Sequence, residues 1–365
     1  MYFSVFKVSW RIQLRKSKST VLAISGLALL ITGAMLYAGP LNPPAGPVTS
    51  TYKTLSEVEP RIAINAINTP GDADSLFKIT QPGSYYLTGN VIGVVGKHGI
   101  EITAHGVTVD LGGFGLQGIA GTLDGVSATV PLRNVAVING VVWFWGGDGV
   151  DLSNVISWRL ADLMFADNIG HGIRGGSSGA LNNCTSVGNN GDGIALGGGS
   201  TATNCGVQFN TGNGISAVSG CTITNCSVVQ SGISGISAGN ASIITSCTVV
   251  ANQVGILCSS TCVIRGNSCV SNGTISANGA GIRASGSDNR IEGNNCTGAG
   301  RGVEVNGTGS IIIGNTCSGN TFNWTIAIGN SVGPIVLAGQ SAAINGNGPL
   351  ASSLGSTDPF ANFSY

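Results

Sequence analysis

Apolar residues return along this chain in short alternating pieces set off by Gly, Asn and Ser. The clearest pieces are Ile100-Glu101-Ile102, Val150-Asp151-Leu152, Ile194-Ala195-Leu196, Ile215-Ser216-Ala217 and Val303-Glu304-Val305. A period of two buries the first and third residues and leaves the middle one outside, the pattern of a strand. Each piece opens on a Gly-Ile or Gly-Val pair, at Gly99, Gly125, Gly149, Gly172, Gly193, Gly214, Gly235, Gly255, Gly281 and Gly302. From Gly172 onward the steps between these glycines are 21, 21, 21, 20, 26 and 21 residues. A fixed period of this size marks a repeat architecture.

Asn183-Cys184, Asn204-Cys205, Asn225-Cys226, Ser246-Cys247, Ser268-Cys269, Asn295-Cys296 and Thr316-Cys317 interleave with those pairs. About 21 residues are too few for a helical-hairpin repeat, and the leucines of a leucine-rich repeat are missing. Three short strands per repeat, stacked coil on coil, predict an all-β parallel β-helix over residues 98–330, with about ten coils. The cysteines are expected to form one inward ladder of free thiols, packing as small hydrophobes. Cys258 and Cys262 stay open as a local disulfide, since a three-residue turn separates them.

Residues 51–97 predict an atypical cap over the first coil. It would contain a short helix opened at Ser56-Glu57-Val58-Glu59, alternation through Ile62, Ile64 and Ala66, and strands at Leu76–Thr80 and Ser84–Leu87. Residues 331–365 are left as the last coil and a tail. Ahead of the cap, residues 1–18 are basic and Val21 to Ala38 form an apolar run. Residues 1–38 therefore read as an export signal or a retained anchor, and 39–50 as a proline-rich spacer. Membrane contact is expected only through residues 21–38 if they are uncleaved. Either reading places the remainder outside the cytoplasm.

Formal charge is zero, yet five of the 16 basic residues lie in the first 18 positions. The rest carries 11 basic and 16 acidic residues, a net charge of −5, which offers a nucleic-acid backbone nothing. No cofactor is expected, and calcium lacks an evident cluster of aspartates. A monomer is expected.

Phrases such as Ile264-Arg265-Gly266-Asn267-Ser268-Cys269 and Ile313-Gly314-Asn315-Thr316-Cys317, alternating with the Gly-Ile strands, resemble the right-handed parallel β-helix proteins of the pectin lyase-like superfamily. The likeness covers about residues 98–330. Thr54–Arg61 and Asp72–Ile79 look like uncharacterised exported bacterial members of that group. The resemblance implies a single-stranded right-handed helix, extracellular polysaccharide as the usual ligand, and catalytic groups on the exposed face of the first strand. Asp148-Gly149-Val150-Asp151 and Gly170-His171-Gly172 faintly resemble polygalacturonase motifs, but the double-aspartate coil and the Arg-Ile-Lys signature are absent.

Aligning the residue before each glycine gives His98, Asp124, Asp148, His171, Asp192, Asn213 and Ser234. The outward position of the following strand gives Glu101, Ser127, Asp151, Arg174, Ala195 and Ser216. Crowded carboxylates can share acid and base roles on a glycosidic bond. Candidate catalytic residues are thus Asp148, Asp151, His171, Arg174 and Asp192, with Arg174 placed to hold a uronate carboxylate. Trp143, Trp145, His98, Glu101 and Asp124 are candidates for substrate binding, flat rings being suited to sugar faces. Turn chemistry alone can also produce such a column, because Asp, Asn and His favour positions before Gly. Two functions follow: a β-helix that binds, and in one form cleaves, extracellular polysaccharide as a lyase or glycoside hydrolase, or a non-catalytic surface module. Metal delivery is a third, weakened by the scarcity of exposed His and Met.

Overall fold

The computed structural model describes residues 59–273, 279–339 and 353–365. The expected signal or anchor, the spacer and the helix at residues 56–59 lie wholly or mainly outside the described residues. No helix among the described residues is long and apolar enough to cross a membrane.

Every described regular element is a strand, and nearly every strand pairing is parallel. One sheet holds twelve strands, here rungs 1 to 12: Ser75–Ile79, His98–Ile102, Val126–Ser127, Val150–Leu152, Ile173–Gly175, Ile194–Leu196, Ile215–Ala217, Ser234–Ala238, Val254–Cys258, Ala280–Ala284, Arg301–Val305 and Phe322–Ile326. Each later coil adds two more strands, such as Ala180–Asn182 and Thr185–Val187, to a second sheet of 24. Twelve rungs replace the expected ten. Rung 1 precedes the first Gly-Ile pair and rung 12 follows the last, so neither carries the signature. Rung 1 lies inside the segment read as a cap, and it pairs Lys78 with Glu101 in full register. Of the alternation beginning at Ile62, only Ile62–Ala63 is strand.

The recurring glycine has a steric cause. A Cβ on Gly193 would lie 2.8 Å from the carbonyl oxygen of Gly214 and 2.7 Å from Asn210 Nδ2. On Gly214 it would lie 2.6 Å from the Gly235 carbonyl, and on Gly255 2.4 Å from that of Gly281. Real Cβ contacts do not come so close, so each of rungs 2 to 11 admits only glycine there.

Those crowding amides belong to a buried asparagine ladder. Asn189 Oδ1 accepts from the Asn168 backbone N–H at 3.1 Å and from Asn168 Nδ2 at 2.9 Å. Asn210 serves Asn189 in the same way at 3.0 and 2.8 Å. Ser231 takes one step, and Asn252 and Asn272 continue the ladder. It satisfies backbone donors at a corner where no strand can.

The cysteines form two columns rather than one. Cys184, Cys205, Cys226 and Cys247 stack inside, as expected. Thr248 then pairs with Ser268, so Cys247 stands opposite Asn267, whose Oδ1 accepts its N–H at 2.9 Å. Cys269, Cys296 and Cys317 instead continue the column of Ser186, Val207, Val228 and Val249. All ten cysteines are buried free thiols, Cys258 and Cys262 included. Burial pushes the Cys184 thiol up to about 11.

Candidate functional site

Strand register sets the geometry of the ionisable strip. His98, Asp124, Asp148, His171, Asp192 and Asn213 occupy one position on rungs 2 to 7. Glu101, Ser127, Asp151, Arg174, Ala195 and Ser216 occupy the outward position three residues later. Adjacent rungs lie about 4.8 Å apart, so the ionisable candidates do share one face.

Side chains of the first column cap the backbone N–H of the next rung. Asp124 Oδ1 accepts from Asp148 N at 2.7 Å, Asp148 Oδ1 from His171 N at 2.6 Å, and Asp192 Oδ1 from Asn213 N at 2.7 Å. His98 and His171 accept through Nδ1, from Asp124 N at 3.2 Å and Asp192 N at 2.9 Å. An accepting Nδ1 puts the proton of a neutral imidazole on Nε2. Both rings therefore keep an N–H donor that the ladder does not use.

The ladder needs only one acceptor atom per residue. Asn213 supplies it uncharged, accepting from Ser234 N at 3.2 Å. The negative charge on Asp124, Asp148 and Asp192 is surplus to that role. Asp148 is 5% exposed, and its Oδ2 lies 3.3 Å from Arg174 Nε. Burial holds its carboxyl above the usual range, outweighing the His171 N–H and the Arg174 guanidinium. Asp192 Oδ2 accepts from Ser216 Oγ at 2.6 Å, and Asp151 Oδ1 accepts from Ser153 N at 2.9 Å. His98 is held above its ordinary value: burial opposes protonation, but the Asp124 carboxylate at 3.2 Å outweighs it.

A second centre sits on rungs 1 and 2. Lys78 Nζ lies 2.6 Å from Asp72 Oδ2 and 2.8 Å from Glu101 Oε2, and Thr129 Oγ1 donates to Glu101 Oε1 at 2.6 Å. Glu101 is almost wholly buried, yet its carboxyl stays below the usual range, because Lys78 and Thr129 outweigh the desolvation. Lys78 and Asp72 escaped the sequence reading because rung 1 has no Gly-Ile pair, and Thr129 because it lies two residues past the outward column on rung 3. Asp72, Asp74 and Glu101 can bring one oxygen each within 4.8 Å of one another. The Lys78 ammonium already bridges Asp72 and Glu101, so a metal ion would have to displace it, and none is assigned there.

Two aromatic candidates fall elsewhere. Trp145 is fully buried in the core, its Nε1 donating to the Leu116 carbonyl at 3.0 Å. Its ring lies under rungs 2 and 3, 2.7 Å from where a Cβ on Gly99 would stand. It supports the strip from beneath and cannot meet a sugar. Trp143 pairs with Gln117 and Ala166 in the second sheet, and its ring covers Gly115. Phe144, between them, is the half-exposed ring.

Beyond Arg174 a shallow groove of about 290 Å³ runs along rungs 5 to 8, lined by Arg174, Ala195, Leu196, Ser216, Val218 and Ser237. Small side chains leave room there for a ligand lying along the stack.

No family model matches the sequence, and no curated relative matches it either. Solved structures do. The A-module of the mannuronan C-5 epimerase AlgE6 of Azotobacter vinelandii superposes with a TM-score of 0.60 at 16% identity, over 74% of this chain and 86% of that one. The fold is thus a right-handed parallel β-helix, as in that module. Looser likenesses to this β-helix include the Dettilon tailspike protein gp208, with a TM-score of 0.43 and 16% identity over 80% of this chain and 60% of that one. The catalytic domain of a GH87 α-1,3-glucanase matches with a TM-score of 0.38 and 12% identity, over 78% and 67% of the two chains.

Proposed function

We propose that this β-helix binds an acidic extracellular polysaccharide along the twelve-stranded sheet, and that the Asp148–His171–Arg174 centre acts on it. The observation that carries this reading is the surplus charge of Asp148, buried beside Arg174 in a column where Asn213 performs the same backbone task uncharged. A sugar chain in the groove would bring a carboxylate to Arg174. Asp148, which keeps its proton to higher pH than an ordinary aspartate, would supply it to a glycosidic oxygen. His171 Nε2 and Asp151 are the nearby groups able to exchange a proton with water or sugar. The solved β-helix that superposes best among those named is a module of a mannuronan epimerase, which supports a polysaccharide ligand. The basic start and apolar run of residues 1–38, read as an export signal or anchor, support the same reading.

The second reading is a non-catalytic surface module. It is favoured by the hydrogen bonds that tie each column side chain to backbone. A glycan array followed by a reducing-sugar assay on the positives separates the two. The double variant Asp148→Asn, Asp151→Asn keeps the acceptor oxygens and removes the charge. Loss of product release with binding retained supports the centre as catalytic. Wild-type binding without any product supports the module, and unchanged hydrolysis by the variant removes both aspartates from the chemistry.

A further inference from the structure

Charge leaves the twelve-stranded sheet after Asp192 and returns near its far end. From Arg174 the outward column continues through Ala195, Ser216, Ser237 and Leu257 to Arg283 on rung 10 and Glu304 on rung 11. The first column passes from Ser234 through Val254 and Ala280 to Arg301 on rung 11 and Phe322 on rung 12. Rungs 7 to 9 carry no charge in either column.

Two arginines meet one carboxylate there. Arg283 Nε donates to Glu304 Oε2 at 2.6 Å, and Glu304 is 8% exposed. One guanidinium at that distance compensates a buried carboxylate. Arg301 is the second, and its Nε stays 3.9 Å from Glu304 Oε1, beyond hydrogen-bond reach. The three side chains together keep a positive charge. Backbone demands do not explain Arg301 either. From its column Asp124, Asp148, Asp192 and Asn213 accept a backbone N–H of the next rung, and a guanidinium cannot accept. The equivalent N–H, on Phe322, donates instead to the Gly300 carbonyl at 3.0 Å. Phe322 itself pairs with Arg301 in register and is 61% exposed. A guanidinium beside an exposed ring matches a sugar that carries a carboxylate: the ring covers the C–H face and the arginine takes the acid group.

We propose that Arg301 and Phe322 form a distal subsite for a uronate unit of the same polysaccharide chain that Arg174 holds; this rests on the function proposed above. Six rung spacings of ~4.8 Å separate rungs 5 and 11, a span of ~29 Å. An extended sugar chain advances by roughly one such spacing per unit, so the two anchors hold units about six apart. The groove at rungs 5 to 8 and the uncharged columns lie between them. A carboxylated chain crosses that stretch without facing a like charge in either column. Two anchors on one ligand make the second contact intramolecular, so affinity should depend on chain length.

The test is calorimetric binding of oligomannuronates and oligogalacturonates of about four and about ten units, the shorter unable to span ~29 Å and the longer able to. It uses wild type, Arg301→Gln and Phe322→Ser, with affinities compared per sugar unit and thermal unfolding as the check on stability. Wild type is expected to bind the longer chain about tenfold more tightly, the scale of one charge-assisted hydrogen bond. Arg301→Gln should abolish that preference, and Phe322→Ser should reduce it about threefold. Phe322→Ser leaves every ion pair intact, so it carries the test if Arg301→Gln fails to fold. Wild-type binding without a length preference, or a preference that both variants keep, overturns the subsite and leaves polysaccharide binding standing. Absence of binding to every oligomer overturns both. Self-association of wild type that the variants abolish, with the length preference unchanged, assigns Arg301 and Phe322 to a second copy and overturns the proposal.

Discussion

Lys78 and Glu101 show what the strip demands of a single residue. A buried carboxylate is tolerated because an ammonium stands 2.8 Å away. Replacing Lys78 with Met keeps most of the stem and removes the charge, leaving Glu101 uncompensated. Lys78 is partly exposed, so the expected cost at pH 7 is about 2 kcal/mol rather than the full value of a buried pair. The sign with pH follows from the lowered carboxyl of Glu101. Its contribution is present above the unfolded value and lost as pH falls through the folded one. The variant should therefore lose least against wild type in acid, where Glu101 takes up a proton. Urea unfolding at pH 7 and pH 4 measures this, and a cost independent of pH would show that Lys78 acts by packing alone. Asp148 has the opposite sign. Its raised carboxyl favours the protonated fold, so its contribution falls as pH rises through its folded value.

Among the elements, the glycine and asparagine ladders hold the rungs in register. Gly214→Ala would set a Cβ 2.6 Å from the Gly235 carbonyl and 2.2 Å from Val228 Cγ1. Neither backbone nor packed valine can retreat, so the expected loss is about 1–3 kcal/mol by urea denaturation. Stability equal to wild type would mean that the rungs slide more freely than their register implies. The glycine half of this design was legible in the sequence, because a Cβ clash repeats once per coil and leaves a periodic mark. The asparagine half was not. Asn168, Asn189 and Asn210 look like ordinary turn residues until their side chains are seen buried end to end. The cysteine column misled for a related reason. Ser246-Cys247 and Ser268-Cys269 match as dipeptides, yet pairing of Thr248 with Ser268 offsets them by two residues. An offset of two keeps a side chain facing inward, so alternation could not betray the slip.

On the scale of the whole molecule, strand register brings together the ionisable residues that the periodic alignment had placed in one strip, and the aromatics divide. Parallel stacking turns equal sequence phase into spatial proximity, which is why Asp148, His171 and Arg174 could be placed from spacing alone. Trp145 could not, since three consecutive aromatics give no phase and its indole is decided by the space beneath Gly99 and Gly125. The central claim is that this sheet holds an acidic polysaccharide through Arg174, amid carboxylates that repel it. His98 and Asp148 both hold their protons to higher pH than usual. Acidification therefore adds positive charge along the strip through His98, and affinity for a polyuronate should rise as pH falls from 8 to 5. The most direct measurement is calorimetric binding of a polyuronate to wild type and Arg174→Gln across that range. The account predicts about tenfold weaker binding by the variant, the scale of one lost hydrogen-bonded charge, and a wild-type affinity that climbs toward acid. Equal affinity of the two proteins, or binding indifferent to pH, would contradict it.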